Sequence, residues 1–296
     1  MSQIRSSTNA SVNAAADCDK SITVKSNGDT KISCKTVKGS VTFDSDDISG
    51  AIDLSGIEEI EGDLVIKENK NIQSLSSSSL AKIGGKFQLD QLEALTAINF
   101  NSLEEVKEIE WISLTALETV QFGTEGVTRI NKVRISDSSL SSLDGLSMES
   151  VGTFKIDNNK QLLKWKTLLT EIKDELIVAD NSEDLEVSFP ELTSAGDIDV
   201  RGVKGLDMPL LEKISGSFLL TDNNVMEAFI APNLTQTGES VSLRNNGGLS
   251  NVSFPLLTRT GGGLTVHNNQ NLLEIDGFPK LEKVAGSVTM RGNFTE

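Results

Sequence analysis

The feature that most constrains the fold is a short strand-like triplet, apolar at its first residue and in all but one case at its third, that occurs twelve times at intervals of 20 to 24 residues. The intervals are too short for a strand, a full helix and a return strand. Such a period is typical of solenoids, whose units bury their apolar sides by stacking on one another. The repeat predicts an all-β parallel β-helix of about twelve coils. The triplets begin at Val41, Leu64, Phe87, Trp111, Val133, Phe154, Leu176, Ile198, Phe218, Val241, Leu264 and Val288.

Three segments between triplets also have apolar spacing that fits a helix, at residues 79–83, 103–109 and 168–176. A leucine-x-x-isoleucine spacing recurs next to glycine in the coils, however, over only four residues. That length favours short strands bent at corners over helices of one turn.

Glycine recurs three places before the central residue of most triplets. It indicates a corner that needs either a positive φ or close approach of two backbones. These glycines are Gly39, Gly62, Gly85, Gly152, Gly196, Gly216, Gly262 and Gly286.

Asparagine recurs four places after the triplet centre. Stacked at one corner of successive coils, the amides would bond the backbone of the next turn and each other, satisfying groups that a corner leaves unpaired. The alternative is a row that binds a ligand. The predicted asparagine ladder is Asn69, Asn159, Asn181, Asn223, Asn246, Asn269 and Asn293.

Composition and charge restrict the partners and the domain organisation. The net charge of −16 argues against nucleic-acid binding, because phosphates would be repelled. It leaves cationic partners or calcium open, beside plain solubility. We predict a disordered segment at 1–16 and one continuous solenoid over 17–296, with two halves at about 17–150 and 151–296.

Cysteines and glycosylation sequons favour a secreted chain whose signal peptide has been removed over a cytosolic one. Cys18 and Cys34 flank a strand-like segment, so we predict a disulfide that caps the first coil and contributes about 3 kcal/mol. A metal pair or a reactive thiol is the alternative. Asn-x-Ser/Thr sequons occur at Asn9, Asn233, Asn251 and Asn293.

Catalytic signals are weak. His267 is the only histidine, and no Gly-x-Ser-x-Gly motif accompanies it, so a catalytic triad and a histidine-rich metal site are not expected. We predict no enzyme activity and no cofactor. The alternative is a polysaccharide-processing enzyme that uses Asp157 and Asp180, which adjacent coils would bring close together.

The triplet centres face outward and form a strip of mixed character that could receive a glycan or a protein. Arg134 and Lys155 make a small basic step in it, followed by Asp199. We predict these three residues as a possible binding face, the alternative being a merely solvated sheet. Trp165 is not placed by the repeat and could be exposed.

Several motifs together are similar to those of a known family. They are the paired asparagines, Ile-Asp-Gly-Phe-Pro-Lys-Leu at 275–281 and Gly-Asn-Phe-Thr at 292–295, with matching coils at 74–106 and 142–159. The chain resembles fungal GPI-anchored cell-wall organisation proteins, which include the yeast sporulation-specific wall proteins and have a receptor L-domain-like β-helix. The resemblance implies secretion, N-glycosylation, a role in wall integrity and no known catalytic residues.

The resemblance also implies a location and partners. It places the chain in the cell wall or on the outer face of the plasma membrane, in contact with wall polysaccharides or with wall or membrane proteins. Family members carry a secretory signal, a further coil, a second cysteine pair, a Ser/Thr-rich stalk and an anchor signal, which this sequence lacks. We expect a monomer. We also expect contact with the membrane only through a GPI anchor, which is missing from this chain.

Overall fold

The triplets form the backbone of a parallel β-solenoid in the computed structural model, which describes residues 17–295. Inward and outward side chains alternate along each triplet, so every coil presents apolar residues to the interior. The described chain contains 28 strands and one short 3₁₀ helix, Asn27–Asp29. The predicted all-β solenoid is confirmed. No helix in these residues is both long and apolar enough to cross a membrane.

Thirteen strands stack in register as the triplet column, one rung per coil, with β1 preceding the twelve predicted rungs. The three segments that could have been helical lie instead in or beside β8, β10 and β15. The strands are β1 (Ile22–Val24), β3 (Val41–Phe43), β6 (Leu64–Lys67), β8 (Lys82–Asp90), β10 (Glu105–Leu114), β12 (Arg129–Ser138), β13 (Ser150–Asp157), β15 (Glu171–Ala179), β17 (Ser194–Arg201), β20 (Phe218–Thr221), β23 (Val241–Arg244), β26 (Leu264–His267) and β28 (Val288–Arg291).

A side column precedes the triplet column in each coil. Six long strands (β8, β10, β12, β13, β15 and β17) run through both columns, which together form a 19-stranded sheet. The remaining side-column strands are short: β2 (Thr36–Val37), β5 (Glu59–Ile60), β19 (Lys213–Ile214), β22 (Gln236–Thr237), β25 (Arg259–Thr260) and β27 (Lys283–Val284).

Three smaller parallel sheets close the other side of the coils. The first contains β4 (Gly50–Asp53), β7 (Ile72–Ser77), β9 (Ala97–Phe100) and β11 (Thr119–Phe122). The second contains β14 (Lys164–Lys166), β16 (Glu186–Ser188) and β18 (Gly205–Asp207). The third contains β21 (Ala228–Ile230) and β24 (Asn251–Ser253).

The core between the sheets is one continuous apolar column with aromatic stacks. Trp165, which could have been exposed, is only 4% exposed. Its ring lies 4.6 Å from that of Phe154 and 5.0 Å from that of Phe189. The indole is therefore a core residue, placed by the second of the smaller sheets and not by the triplet column.

One triplet is displaced from the predicted register. The repeat placed Ile112 at the centre of its triplet, but the structure pairs Glu110 with both Gln88 and Arg134. Trp111 is buried in either register, because a slip of two residues keeps every side chain on the same face. The true triplet is Ile109-Glu110-Trp111, and the outward row contains a carboxylate where an isoleucine was expected.

The glycine corners serve close approach of backbones. None of the predicted corner glycines has a positive φ. A Cβ atom on Gly62 would lie 2.7 Å from the carbonyl carbon of Gly39 in the preceding coil, a distance that no side chain tolerates. The glycines therefore allow adjacent coils to stack closely at this corner.

Paired asparagines divide two tasks between them. In three pairs the first asparagine adopts a left-handed conformation, with φ of 57° at Asn158, 55° at Asn245 and 57° at Asn268; before Asn223 this position is taken by Asp222, with φ of 59°. The asparagine that follows the left-handed residue is buried, and Asn246 is fully shielded from solvent. Its Oδ1 accepts from the backbone N–H and the Nδ2 of Asn223 at 3.0 Å each, and its Nδ2 donates to the carbonyl of Leu220 at 2.9 Å.

The buried amides form separate runs instead of one unbroken ladder. Ser138, Asn159 and Asn181 are linked in one run, and Asn223, Asn246 and Asn269 in another. Asn69 bonds the backbone of the preceding coil, at Ser45 and Ile48. Asn293 departs from the prediction: it is exposed and donates only to the carbonyl of Gln270, because no described coil covers that end.

The two ends of the described solenoid differ. At the first coil, a disulfide joins Cys18 to Cys34, whose Cα atoms are 5.7 Å apart. At the last rung, the inward-facing Val288 and Met290 are 54% and 38% exposed. The described part of the chain therefore ends on an open apolar edge.

Candidate binding groove on the triplet face

The outward side chains of the triplet column form a flat surface, here called the triplet face. Its central row follows the strand register. A second row lies two residues further along each strand. The central row is Thr23, Thr42, Val65, Gln88, Glu110, Arg134, Lys155, Ile177, Asp199, Leu219, Ser242, Thr265 and Thr289.

A charge network occupies the triplet face around Glu110. Lys86 Nζ lies 2.7 Å from Glu110 Oε2 and 3.4 Å from Glu108 Oε1, and Lys132 Nζ lies 3.5 Å from the same Glu108 oxygen. The hydrogen bond from Lys86 lowers the pKa of the Glu110 carboxyl, although desolvation opposes it. These groups pair with one another and are poorly placed to hold a ligand.

A groove of about 570 Å³ opens on the next rungs. Its floor is Ile177 and Ala179, two apolar side chains on β15 that stand between charged rungs. Because Ala179 is short, the flanking Asp157 and Arg201 rise above it as walls. The groove thus combines an apolar floor with polar walls.

The walls of the groove are formed by two ion pairs and by Arg134, whose guanidinium has an unused hydrogen-bond donor. Lys155 Nζ lies 3.3 Å from Asp157 Oδ2 on one side. On the other side, Arg201 Nε donates to Asp199 Oδ1 at 2.8 Å, and this bond raises the pKa of Arg201. Arg134 lines the same groove, and its Nε is shielded from solvent without a hydrogen-bond partner among the described residues.

The structure brings the predicted face residues Arg134, Lys155 and Asp199 to one groove; in the central row Arg134 and Lys155 are neighbours, and Ile177 separates Lys155 from Asp199. The sequence interpretation missed Arg201 and Ala179, which belong to the second row. Inward and outward side chains alternate along a strand, so the residue two places after each triplet centre also faces outward. Extending this alternation past the third triplet residue would have identified both. It also missed Glu110, because the register was wrong there.

The carboxylates considered for glycosidic cleavage have other roles. Asp157 accepts from Ser136 and pairs with Lys155. Asp180 is a left-handed corner residue with φ of 53°, and Asp157 pairs in register with Ala179 instead. His267 is exposed on β26, far along the column from this groove. Among residues 17–295, no three His, Cys, Asp or Glu side chains are grouped to hold a metal ion.

The sequons differ in accessibility. Asn251 is exposed on β24, and its side chain makes no hydrogen bond within residues 17–295. Asn233 is half-buried and donates from Nδ2 to the carbonyl of Pro209 at 2.7 Å. Asn293 is exposed near the open edge, and Asn9 lies outside the described residues.

Comparisons with known proteins identify relatives among fungal surface proteins. The chain is 35% identical to protein ecm33 of Aspergillus fumigatus, over 80% of this chain and 60% of the relative. It is 33% identical to a cell surface GPI-anchored protein of Arthroderma benhamiae, over 95% of this chain and 72% of the relative. Sporulation-specific protein 2 of Saccharomyces cerevisiae is 30% identical to the chain, over 88% of this chain and 52% of the relative.

No family model matches the chain, and no solved structure matches it. The chain spans 60% of the Aspergillus relative and 52% of the Saccharomyces one, so it corresponds to little more than half of those proteins. The Arthroderma relative exceeds 30% identity over more than two thirds of its own length. On that ground, and in agreement with its solenoid fold, the chain belongs to the fungal family of GPI-anchored cell-surface and cell-wall proteins related to ecm33.

Proposed function

We propose that this chain is the solenoid part of a non-catalytic, glycosylated cell-surface protein that contributes to the organisation and integrity of the fungal cell wall. The names of its relatives, which include a cell wall protein and GPI-anchored surface proteins, support this function and an extracellular location. The proposed attachment is a GPI anchor on the complete protein, and the proposed state is a monomer.

The observation that carries the proposal is the continuous stack of coils with buried, hydrogen-bonded amides. A buried amide that loses its partner costs about 1–3 kcal/mol, so the coils resist bending and slipping. The strand pairing of β12 with β13 crosses residue 150, which supports a single unit from 17 to 296 with its two halves continuous. A stiff rod of this kind suits the spacing or bridging of wall polymers.

The groove on the triplet face is the proposed polymer contact. Its three cations and three carboxylates (Arg134, Lys155, Arg201; Asp157, Asp180, Asp199) balance, which favours a neutral, hydroxyl-rich ligand over an ionic one. An apolar floor fits the C–H face of a sugar ring, and the polar walls fit its hydroxyls. Arg134 lines the groove and forms no ion pair among the described residues, so its guanidinium group is the proposed donor to such a hydroxyl.

The bonding of Asp157 to Ser136 and Lys155 supports a binding role over a catalytic one. Glycosidic cleavage requires one carboxyl that gives a proton and another that attacks or activates water. A carboxylate occupied by an ion pair and a hydroxyl is poorly suited to either task. We propose, in addition, that Asn251 carries an N-glycan, because its side chain is exposed and unbonded.

Co-sedimentation with insoluble β-glucan, combined with a reducing-sugar assay, tests this function. We expect the chain to bind the glucan without releasing reducing ends. Arg134→Gln should weaken binding about fivefold, since one hydrogen bond contributes about 1 kcal/mol. The matched control is Arg129→Gln on the same strand, whose Nε is bonded to Glu105 at 2.8 Å outside the groove. Release of sugar, or equal binding by both variants and the parent chain, would contradict the proposal.

A further inference from the structure

The triplet face changes character in its last four rungs, β20, β23, β26 and β28. In earlier rungs its two outward rows include acids, among them Asp90, Glu110, Asp157 and Asp199. In the last four rungs the eight positions contain four hydroxyls, two arginines, one histidine, one leucine and no acid. We call them the hydroxyl–cation face: Leu219, Ser242, Thr265 and Thr289 in the central row, with Thr221, Arg244, His267 and Arg291 in the second row.

Arg244 and Arg291 lie two rungs apart on this face, with His267 on the rung between them. Arg244 pairs in register with His267, and His267 with Arg291, so their side chains leave the sheet about 4.8 Å apart. All three are exposed, and none forms an ion pair with any residue of 17–295. Arg201 on the same row, by contrast, is paired with Asp199.

The neighbouring corner contributes one carboxylate, that of Asp222. The carboxylate of Asp222, at the corner after Thr221, accepts a hydrogen bond from Asn245 Nδ2 at 2.9 Å. Asn268 donates in turn to Asn245 at 2.9 Å. The corner residues after Arg244 and His267 are therefore amides, and the charge of Asp222 stays at the edge of the face beside β20.

A chain of net charge −16 repels polyanions over most of its surface. A flat strip with free cations and no acid is complementary to one class of ligand, a linear polymer with repeated anionic groups. The half-buried hydroxyls of Thr221, Thr265 and Thr289 can bond the uncharged sugar hydroxyls of that polymer, whereas Ser242 is only 7% exposed. We propose that the hydroxyl–cation face binds an acidic polysaccharide along the column, with one anionic group near each cationic rung.

This site is separate from the groove, which lies on β12 to β17, and its test is independent of the proposed function. The probes are polygalacturonate, which carries carboxylates, and a phosphorylated mannan, which carries phosphodiesters, with unphosphorylated mannan as the neutral polymer. Binding of the full chain to each immobilised polymer is measured at low and at high salt. We expect binding to at least one acidic polymer, weakened by salt because exposed charges are screened.

Paired variants assign the binding to the face. Arg244→Gln with Arg291→Gln should bind about tenfold more weakly, a loss of about 1.4 kcal/mol shared between two exposed ionic contacts. The matched control is Arg259→Gln with Lys283→Gln, which removes the same charge from exposed residues in the side column of the last two coils. The control should bind within about twofold of the parent chain.

Each outcome bears on the proposal. Binding to one acidic polymer alone would identify the carboxylate or the phosphodiester as the anionic group. Equal losses in both double variants would mean that net charge and not this face governs binding, and would overturn the proposal. Equal binding to neutral mannan, or no binding to either acidic polymer, would overturn it too, whatever the result with Arg134→Gln at the groove.

Discussion

Replacement of Phe229 by alanine is expected to destabilise the solenoid by about 3–5 kcal/mol, the range for deleting a buried phenyl ring. Phe229 is 1% exposed on β21. Its ring centroid lies 5.1 Å from that of Phe218 and 5.6 Å from that of Phe254, so it joins the triplet column to the third of the smaller sheets. The cavity would weaken the interior of two adjacent coils at once.

The next residue on the same strand provides the control. Ile230 points away from the core and is 48% exposed, so Ile230→Ala should change the free energy of unfolding by less than about 1 kcal/mol. Urea denaturation followed by circular dichroism measures both. Similar losses for the two variants would show that β21 does not present alternate faces to core and solvent as described.

Asn246→Ala is expected to cost about 3 kcal/mol, a large effect for a polar side chain. The substitution leaves the buried N–H of Asn223 and the carbonyl of Leu220 without their partners, and each unsatisfied group costs about 1–3 kcal/mol. Asn223 Nδ2 loses the same acceptor. Thermal unfolding monitored by calorimetry measures the change.

Asn245 is the matched control for Asn246. It is exposed and left-handed, so Asn245→Gly keeps the backbone conformation and loses only exposed amide bonds. We expect a change within about 0.5 kcal/mol. If Asn245→Gly were as damaging as Asn246→Ala, the division of tasks within the asparagine pair would be wrong.

The solenoid architecture was predictable because the same sequence pattern occurs in twelve successive units. Period, glycine corner and alternation all agree, so twelve imperfect copies identify a solenoid that no single copy could. The register at Trp111 was not predictable by the same means. Centres at Glu110 and Ile112 both give intervals within the range of 20 to 24 residues, and both bury the indole.

The corner chemistry was predictable only in part. The sequence indicated that an asparagine in each pair faces inward, but the left-handed neighbour was not foreseen. Asparagine and aspartate are among the few residues that tolerate this conformation, which explains Asp180, Asp222 and Asn268 at one equivalent position. Asn293 matched the pattern yet is exposed, since burial of a ladder residue depends on the coil above it.

The candidate groove could not be predicted from the sequence, although three of its residues could. Arg134, Lys155 and Asp199 could be placed on one row from the repeat alone. The depression itself arises from the short side chain of Ala179 between Asp157 and Arg201, and depth cannot be read from a row of residue types. The free Nε of Arg134 likewise depends on where its neighbours pair.

Hydrogen exchange of asparagine side-chain amides, measured by NMR, tests the stacked-amide account most directly. The Nδ2 protons of Asn223 and Asn246 are buried and bonded within the column, so they should exchange slowly, at rates limited by opening of the coils. Those of Asn158 and Asn245 should exchange rapidly from the exposed corner. Equally rapid exchange at all four positions would contradict an interior braced by amides.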